Sequence, residues 1–149
     1  MFCHLEDSLE LTLSDMNKKN LFNNVVDLIC FLREEAESNL LTEICGLVGI
    51  DENNQFVYEF MQNRSKNPEI YFSIDPYDYL CFLKKYNLLF IFHTHLCGDE
   101  SPSEFDIKTS ENCCYPFLIY SICSEKFSIY EPKHKSYDVN IIEKVKGRL

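Results

Sequence analysis

The sequence predicts a mixed α/β domain, a central β-sheet flanked by helices, and three observations carry that expectation. Short stretches of the chain are continuously apolar or alternate apolar with polar residues, as strands do. Between them, apolar residues recur at helical spacing. The two kinds of stretch interleave along the chain instead of falling into separate blocks. A length of 149 residues fits one domain, taken as 1–149, large enough to bury its own core.

The elements follow in order. Leu9, Leu11 and Leu13 alternate, which suggests a short strand within residues 1–13. From about Asn20 to Ser38 the pattern is helical, with Leu21, Val25, Leu28, Ile29 and Leu32 on one stripe and Asn24, Asp27, Glu34 and Glu37 off it. Ile44 to Ile50 reads as a buried strand, and Gln55 to Gln62 as another, joined by the turn-forming cluster Asp51 to Asn54. Asp75-Pro76 opens a second helix, because Asp caps well and Pro suits the first helical position. Asp78 falls where a capping-box acid belongs, and Tyr79, Leu80 and Leu83 are the expected inner face. Leu88 to Thr94 is continuously apolar, the mark of a central strand covered on both sides. Leu96 to Pro102 is then a loop, and Ser103 to about Asn112 a third helix. Phe117 to Cys123 and Phe127 to Tyr130 are strands about a turn at Ser124-Glu125. From Asp138 the pattern fits helix and strand equally.

Composition narrows the function. Hydrophobic residues at 46% and charged residues at 26% exclude a disordered tail or low-complexity linker. A net charge of −10 repels a phosphate backbone, so nucleic acid is not an expected partner. No apolar run approaches the roughly 18 residues of a membrane span. The start, Met1 to Asp7, lacks the basic and apolar regions of a secretory signal. A soluble, cytoplasmic protein away from membranes is therefore expected. Eight cysteines without a C-x-x-C pair argue against a zinc ribbon, and a reducing compartment argues against disulfides. Cys30, Cys81 and Cys123, inside apolar segments, read as small buried hydrophobes.

The chemistry concentrates between His93 and Asp106. His93 and His95 are two apart at the end of a predicted strand, so both imidazoles leave the same face. Ser103 and Asp106 are three apart at a predicted helix start and also share a face. If the loop folds that helix back over the strand end, two His and a carboxylate converge, the composition of a catalytic zinc site with one position open. Each half has a plainer reading: a satisfied strand histidine, and a capping box Ser-x-x-Asp. Jointly, H-x-H-x7-S-x-x-D arises by chance in roughly one chain in two thousand of this composition, which favours the site. Thr94, between the two His, points to the opposite face and reads as packing. Cys97 would close the open position if it coordinated, and no local signature supports a cysteine nucleophile at Cys97 or Cys45.

His93-Thr94-His95, then Ser103 and Asp106, resembles the signature of the JAMM (MPN+) metallopeptidases, which is preceded by an upstream glutamate. Glu43, in Thr42-Glu43-Ile44-Cys45-Gly46-Leu47-Val48-Gly49, fits that place; read alone it could equally be an edge charge on a strand. Asn63, Ser65 and the run Tyr71 to Tyr79 are similar to the compact prokaryotic and phage branch, which includes tail-tip peptidases of tailed bacteriophages. The resemblance covers roughly residues 40–130. It implies a JAB/MPN-like fold with cytidine-deaminase-like layering, Zn²⁺ held by His93, His95 and Asp106, Glu43 as general base then acid, and Ser103 as oxyanion donor. It implies hydrolysis of a peptide or isopeptide bond, a protein or peptide substrate, other tail or complex subunits as partners, and a virion-associated place beside the cytoplasmic one. The long insertion by which eukaryotic deubiquitinases hold ubiquitin is missing after Asp106, and the chain is too short for an added cell-wall hydrolase domain. A deubiquitinase-like isopeptidase and a noncatalytic scaffold module are the alternatives.

Overall fold

A computed structural model describes residues 20–149. The alternation at Leu9, Leu11 and Leu13 lies outside the described residues. The described chain forms a mixed α/β domain: a six-stranded sheet of order β1-β3-β2-β4-β5-β6 with helices on both faces. The strands are β1 (Asn20–Phe22), β2 (Cys45–Ile50), β3 (Phe56–Met61), β4 (Asn87–His95), β5 (Phe117–Ser121) and β6 (Lys126–Tyr130). The helices are α1 (Val25–Glu37), α2 (Pro76–Lys85), α3 (Glu104–Cys113) and α4 (Val139–Lys146). Among the described residues β4 and β5 are the one parallel pair of neighbouring strands, and α3 makes the crossover between them. No helix among the described residues is long and apolar enough to cross a membrane.

Local chemistry sets the boundaries. The expected first helix loses its opening residues to β1, which pairs with β3, and Leu21 is 49% exposed. The helix begins at Val25 because Asn24 Oδ1 accepts the N–H of Asp27 at 2.9 Å. The β2–β3 hairpin turns on Asp51, whose Oδ1 accepts the N–H groups of Asn53 and Gln55, both at 2.9 Å. The C-terminal segment resolves as a helix, capped by Asp138 and anchored by Ile142 and Val145.

The sheet divides two cores. Leu28, Leu32 and Ala36 of α1 and Ile142 and Val145 of α4 pack on one face, against Val48, Tyr58, Phe90, Phe92, Leu118 and Tyr120. The other face buries Leu47, Val57, Ile91, Phe117 and Ile119 beneath Phe82 of α2 and Phe72. Phe82, not Leu80, is the buried anchor of α2, and Leu80 is 55% exposed. The reason is Gly49, beside a bulge in the β2–β4 pairing. A Cβ there would stand 2.9 Å from the Phe82 ring, so glycine opens the slot that ring fills. Gly46 serves the opposite face, where a Cβ would meet the Tyr58 ring at 2.4 Å.

The cysteines depart from expectation. Cys45 is buried, but Cys30 and Cys123 are exposed and Cys81 is half-buried. Cys30 falls on the outer side of α1, and Cys123 lies in the β5–β6 turn. All the described cysteines are free.

Candidate metal centre

β4 is central and its middle is fully buried, so its last residues emerge from the core at one end of the sheet. Side chains alternate there: Ile91, His93 and His95 share the face of Phe72 and Phe117, while Phe90, Phe92 and Thr94 share the other. The β4–α3 loop turns through Gly98 at φ +82°, open space where only glycine sits without strain, and returns α3 to the strand end. Ser103 caps α3 in a reciprocal box: its Oγ accepts the Asp106 N–H at 3.1 Å, and its own N–H donates to Asp106 Oδ2 at 2.9 Å. That box aims the Asp106 carboxylate at both imidazoles. Oδ1 lies 3.0 Å from His93 Nε2, and Oδ2 lies 2.9 Å from His95 Nε2.

The donor set fits a metal ion. One ligand atom from each of His93, His95 and Asp106 lies within 4.8 Å of the others. His95 Nδ1 is 2.9 Å from the carbonyl oxygen of Asp99, an obligate acceptor, so Nδ1 carries the proton. Its Nε2 then faces a carboxylate, a second acceptor. Only a second proton or a cation reconciles that contact. His93 is wholly buried, and its approach to Asp106 is close but poorly aligned, so neither ring nitrogen has a hydrogen-bond partner among the described residues. A buried orphan of this kind is costly unless something completes it. A metal ion on Nε2 would do so.

Electrostatics follow from burial and pairing. Burial pushes the His93 imidazole well down, and Asp106 only partly opposes it. Burial also works against the charged form of His95, but the contacts to Asp106 and the Asp99 carbonyl outweigh it and raise that pKa. Asp106 resists the same desolvation because both imidazole Nε2 atoms stand 2.9–3.0 Å from its oxygens and the Ser103 N–H donates to it, which together hold its carboxyl far below the usual range. Glu43 is 6% exposed, and burial pushes its carboxyl up to about 8, with His95 opposing and Asp106 reinforcing. Its side chain has no hydrogen-bond partner among the described residues.

All five predicted residues reach this end of the sheet. Glu43, His95, Ser103 and Asp106 line one cleft of about 290 Å³, walled by Tyr71, Phe72 and Phe105, with His93 beneath them. Phe72 stacks on the His93 ring at 4.4 Å between centroids. Cys97 is exposed on the rim and is not part of the donor set. A larger hollow of about 860 Å³ lies away from this end, between α1 and α4, and none of these five residues lines it.

Thr94 does more than pack. Its Oγ1 accepts the Ile44 N–H at 2.9 Å and its own N–H donates to the Ile44 carbonyl at 3.1 Å. The residue between the two histidines therefore fixes the peptide that follows Glu43. A hydroxyl inside an apolar strand was the available signal; its partner fifty positions away was not. Asn63 and Phe72 fall within the stretches that carry the family resemblance, but local spacing assigns a role to neither.

No family model and no curated protein matches the chain. Among solved structures, it is similar to the solution structure of protein DSY2949 from Desulfitobacterium hafniense, with 26% identity and a TM-score of 0.52. The alignment covers 68% of this chain and 75% of that one. What the chain itself presents, then, is a buried His-His-Asp group able to hold a metal ion, beside a partnerless carboxyl, in a mixed α/β domain.

Proposed function

We propose that the protein is a zinc-dependent amide hydrolase of the JAMM type, with the JAB-like layering that assignment implies. One observation carries the reading: a buried glutamate without a hydrogen-bond partner shares a cleft with His95 and Asp106, above a His93 imidazole whose two nitrogens lack hydrogen-bond partners. The matching sequence signature supports it, as does the open rim, where a water and a substrate carbonyl can enter.

His93, His95 and Asp106 would hold the ion. Zinc suits two imidazoles and one carboxylate, and when bound it supplies Lewis acidity toward water and a carbonyl oxygen. The chain's own groups do the rest. Glu43, raised toward neutrality by burial, takes the proton of the attacking water and returns it to the departing amine. The Ser103 oxygen uses a lone pair on the Asp106 N–H, which leaves its O–H free to donate to the developing oxyanion. Asp99 holds His95 in the tautomer that presents Nε2. Tyr71 and Phe105, packed edge to face at 5.3 Å, form an apolar wall for the substrate flank.

The test is hydrolysis by protein stripped with a chelator and reloaded with zinc, on fluorogenic peptides and on isopeptide-linked ubiquitin-like substrates. The expected result is zinc-dependent cleavage that disappears in Glu43→Gln. Cleavage of peptides alone favours the phage-tail branch, and cleavage of isopeptides alone favours a deubiquitinase-like enzyme. A zinc-loaded protein that cleaves neither would overturn the assignment in favour of a scaffold module.

A further inference from the structure

We propose that Asn63 is a positioning residue that fixes the general base and the aromatic wall of the cleft relative to each other. The catalytic half of this inference rests on the reading of Glu43 as base. Asn63 stands just past β3, half-buried, and touches none of the three ligand side chains.

Its amide is fully used. Nδ2 donates to the Glu43 carbonyl at 2.9 Å and to the Tyr71 carbonyl at 3.0 Å, and also comes within 3.5 Å of the Pro68 carbonyl. Oδ1 accepts the N–H groups of Ser65 at 3.0 Å and Ser73 at 3.1 Å. A primary amide offers two donors and two acceptor sites on one short plane. Aspartate lacks the donors, and glutamine carries them one methylene too far.

The partners matter because of what they carry. Arg64 N–H to the Ser73 carbonyl, 2.9 Å, closes the segment 64–73 into a compact loop. The Glu43 N–H donates to the Pro68 carbonyl in that loop at 2.7 Å. The loop brings Tyr71 to Phe105 and lays Phe72 on His93. Asn63 thus sits at the centre of the loop and grips Glu43 from the same side. Without it the loop keeps Phe72 as its buried apolar anchor, but Tyr71 and the Glu43 peptide lose their common support.

Asn63→Asp retains the acceptor and removes both donors; Asn63→Ala removes the whole amide. Three readouts separate the possibilities: zinc stoichiometry, amide hydrogen exchange, and kcat against KM on any substrate the parent cleaves. The expected result for both variants is an unchanged zinc content. Exchange should be at least tenfold faster at the amides of Glu43, Arg64, Ser65 and Ser73. A fall in kcat of about 10²-fold is the scale of a base misplaced by an ångström, and KM should change much less. Parental exchange and parental kcat in Asn63→Ala would overturn the proposal. Global unfolding of both variants would overturn it too, because the amide would then serve the fold and not the site. If the parent cleaves nothing, the functional reading fails, and exchange alone decides whether Asn63 ties the loop to Glu43.

Discussion

On one face of β4, Phe90, Phe92 and Thr94 are buried beneath α1 and α4. On the other, Ile91, His93 and His95 run from the core to an open cleft. Backbone, sheet position and burial are nearly the same for both rows. The first row is satisfied throughout: rings pack, and the Thr94 hydroxyl accepts a backbone N–H. The second holds a buried imidazole with two unpartnered nitrogens beside a carboxyl whose pKa burial has displaced. The packed face has an orphan of its own, the Tyr58 hydroxyl, so the difference lies in what the second face gathers at one place: a buried imidazole, a displaced carboxyl and an open cleft. The contrast marks the second face as the one whose His93, His95 and Asp106 could hold a metal ion.

The largest effect should come from the base. Glu43→Gln should lower kcat by 10²–10⁴-fold, the usual contribution of general acid–base catalysis, with zinc content unchanged. Steady-state turnover beside metal analysis checks both halves. Ser103→Gly comes next. Glycine at an N-cap costs only a few tenths of a kcal/mol against Ser, yet it deletes the O–H. A fall in kcat of roughly 10²–10³ with a nearly unchanged melting temperature is expected. Unchanged turnover would leave Ser103 as a cap for α3 alone.

The packed face should respond in stability. Thr94→Val keeps the shape and removes the acceptor, which strands the Ile44 N–H in the core. Denaturant unfolding should register a loss of about 1–3 kcal/mol. Turnover should fall as well, because that peptide adjoins Glu43, so this substitution probes how far the packed face serves the site.

The smallest expected effect has the opposite sign. In the metal-free protein, the Glu43 carboxyl stays protonated in the fold up to about pH 8, whereas an unfolded chain ionises it near 4.5. Its folded pKa is raised, so its contribution to stability declines as pH climbs from 4.5 toward 8. Glu43→Gln does not titrate. The full shift would be worth roughly 5 kcal/mol, but solvent in the open cleft screens the carboxylate, so under chelation the variant should match the parent near pH 4 and exceed it by only about 1–2 kcal/mol near pH 8. Chemical melts at the two pH values measure the difference.

Much of this was legible in local spacing. The H-x-H pair, the cap at Ser103 and the apolar run of β4 are short-range patterns, and each lies where its pattern places it. What depended on distant partners was not legible. The helical stripe absorbed Leu21 because the pairing of β1 with β3 is non-local. Leu80 looked like the inner face of α2 because nothing near it announces that Gly49 leaves room for Phe82. The segment after Asp138 was ambiguous because α4 has only eight residues, too few for a clear period. Cys30 looked apolar in a run that one turn of helix splits between core and solvent. Thr94 acts through the Ile44 peptide fifty residues away and Asn63 through the Glu43 carbonyl twenty away, and no local residue pattern encodes those contacts.

In the proposed reading, His93, His95 and Asp106 hold one metal ion. The direct measurement is metal content after the chelated protein is reloaded with zinc and desalted, for the parent and His95→Ala side by side. One zinc per chain is expected in the parent and little in the variant, with both chains folded. Equal retention by His95→Ala, or none by the parent, would contradict it.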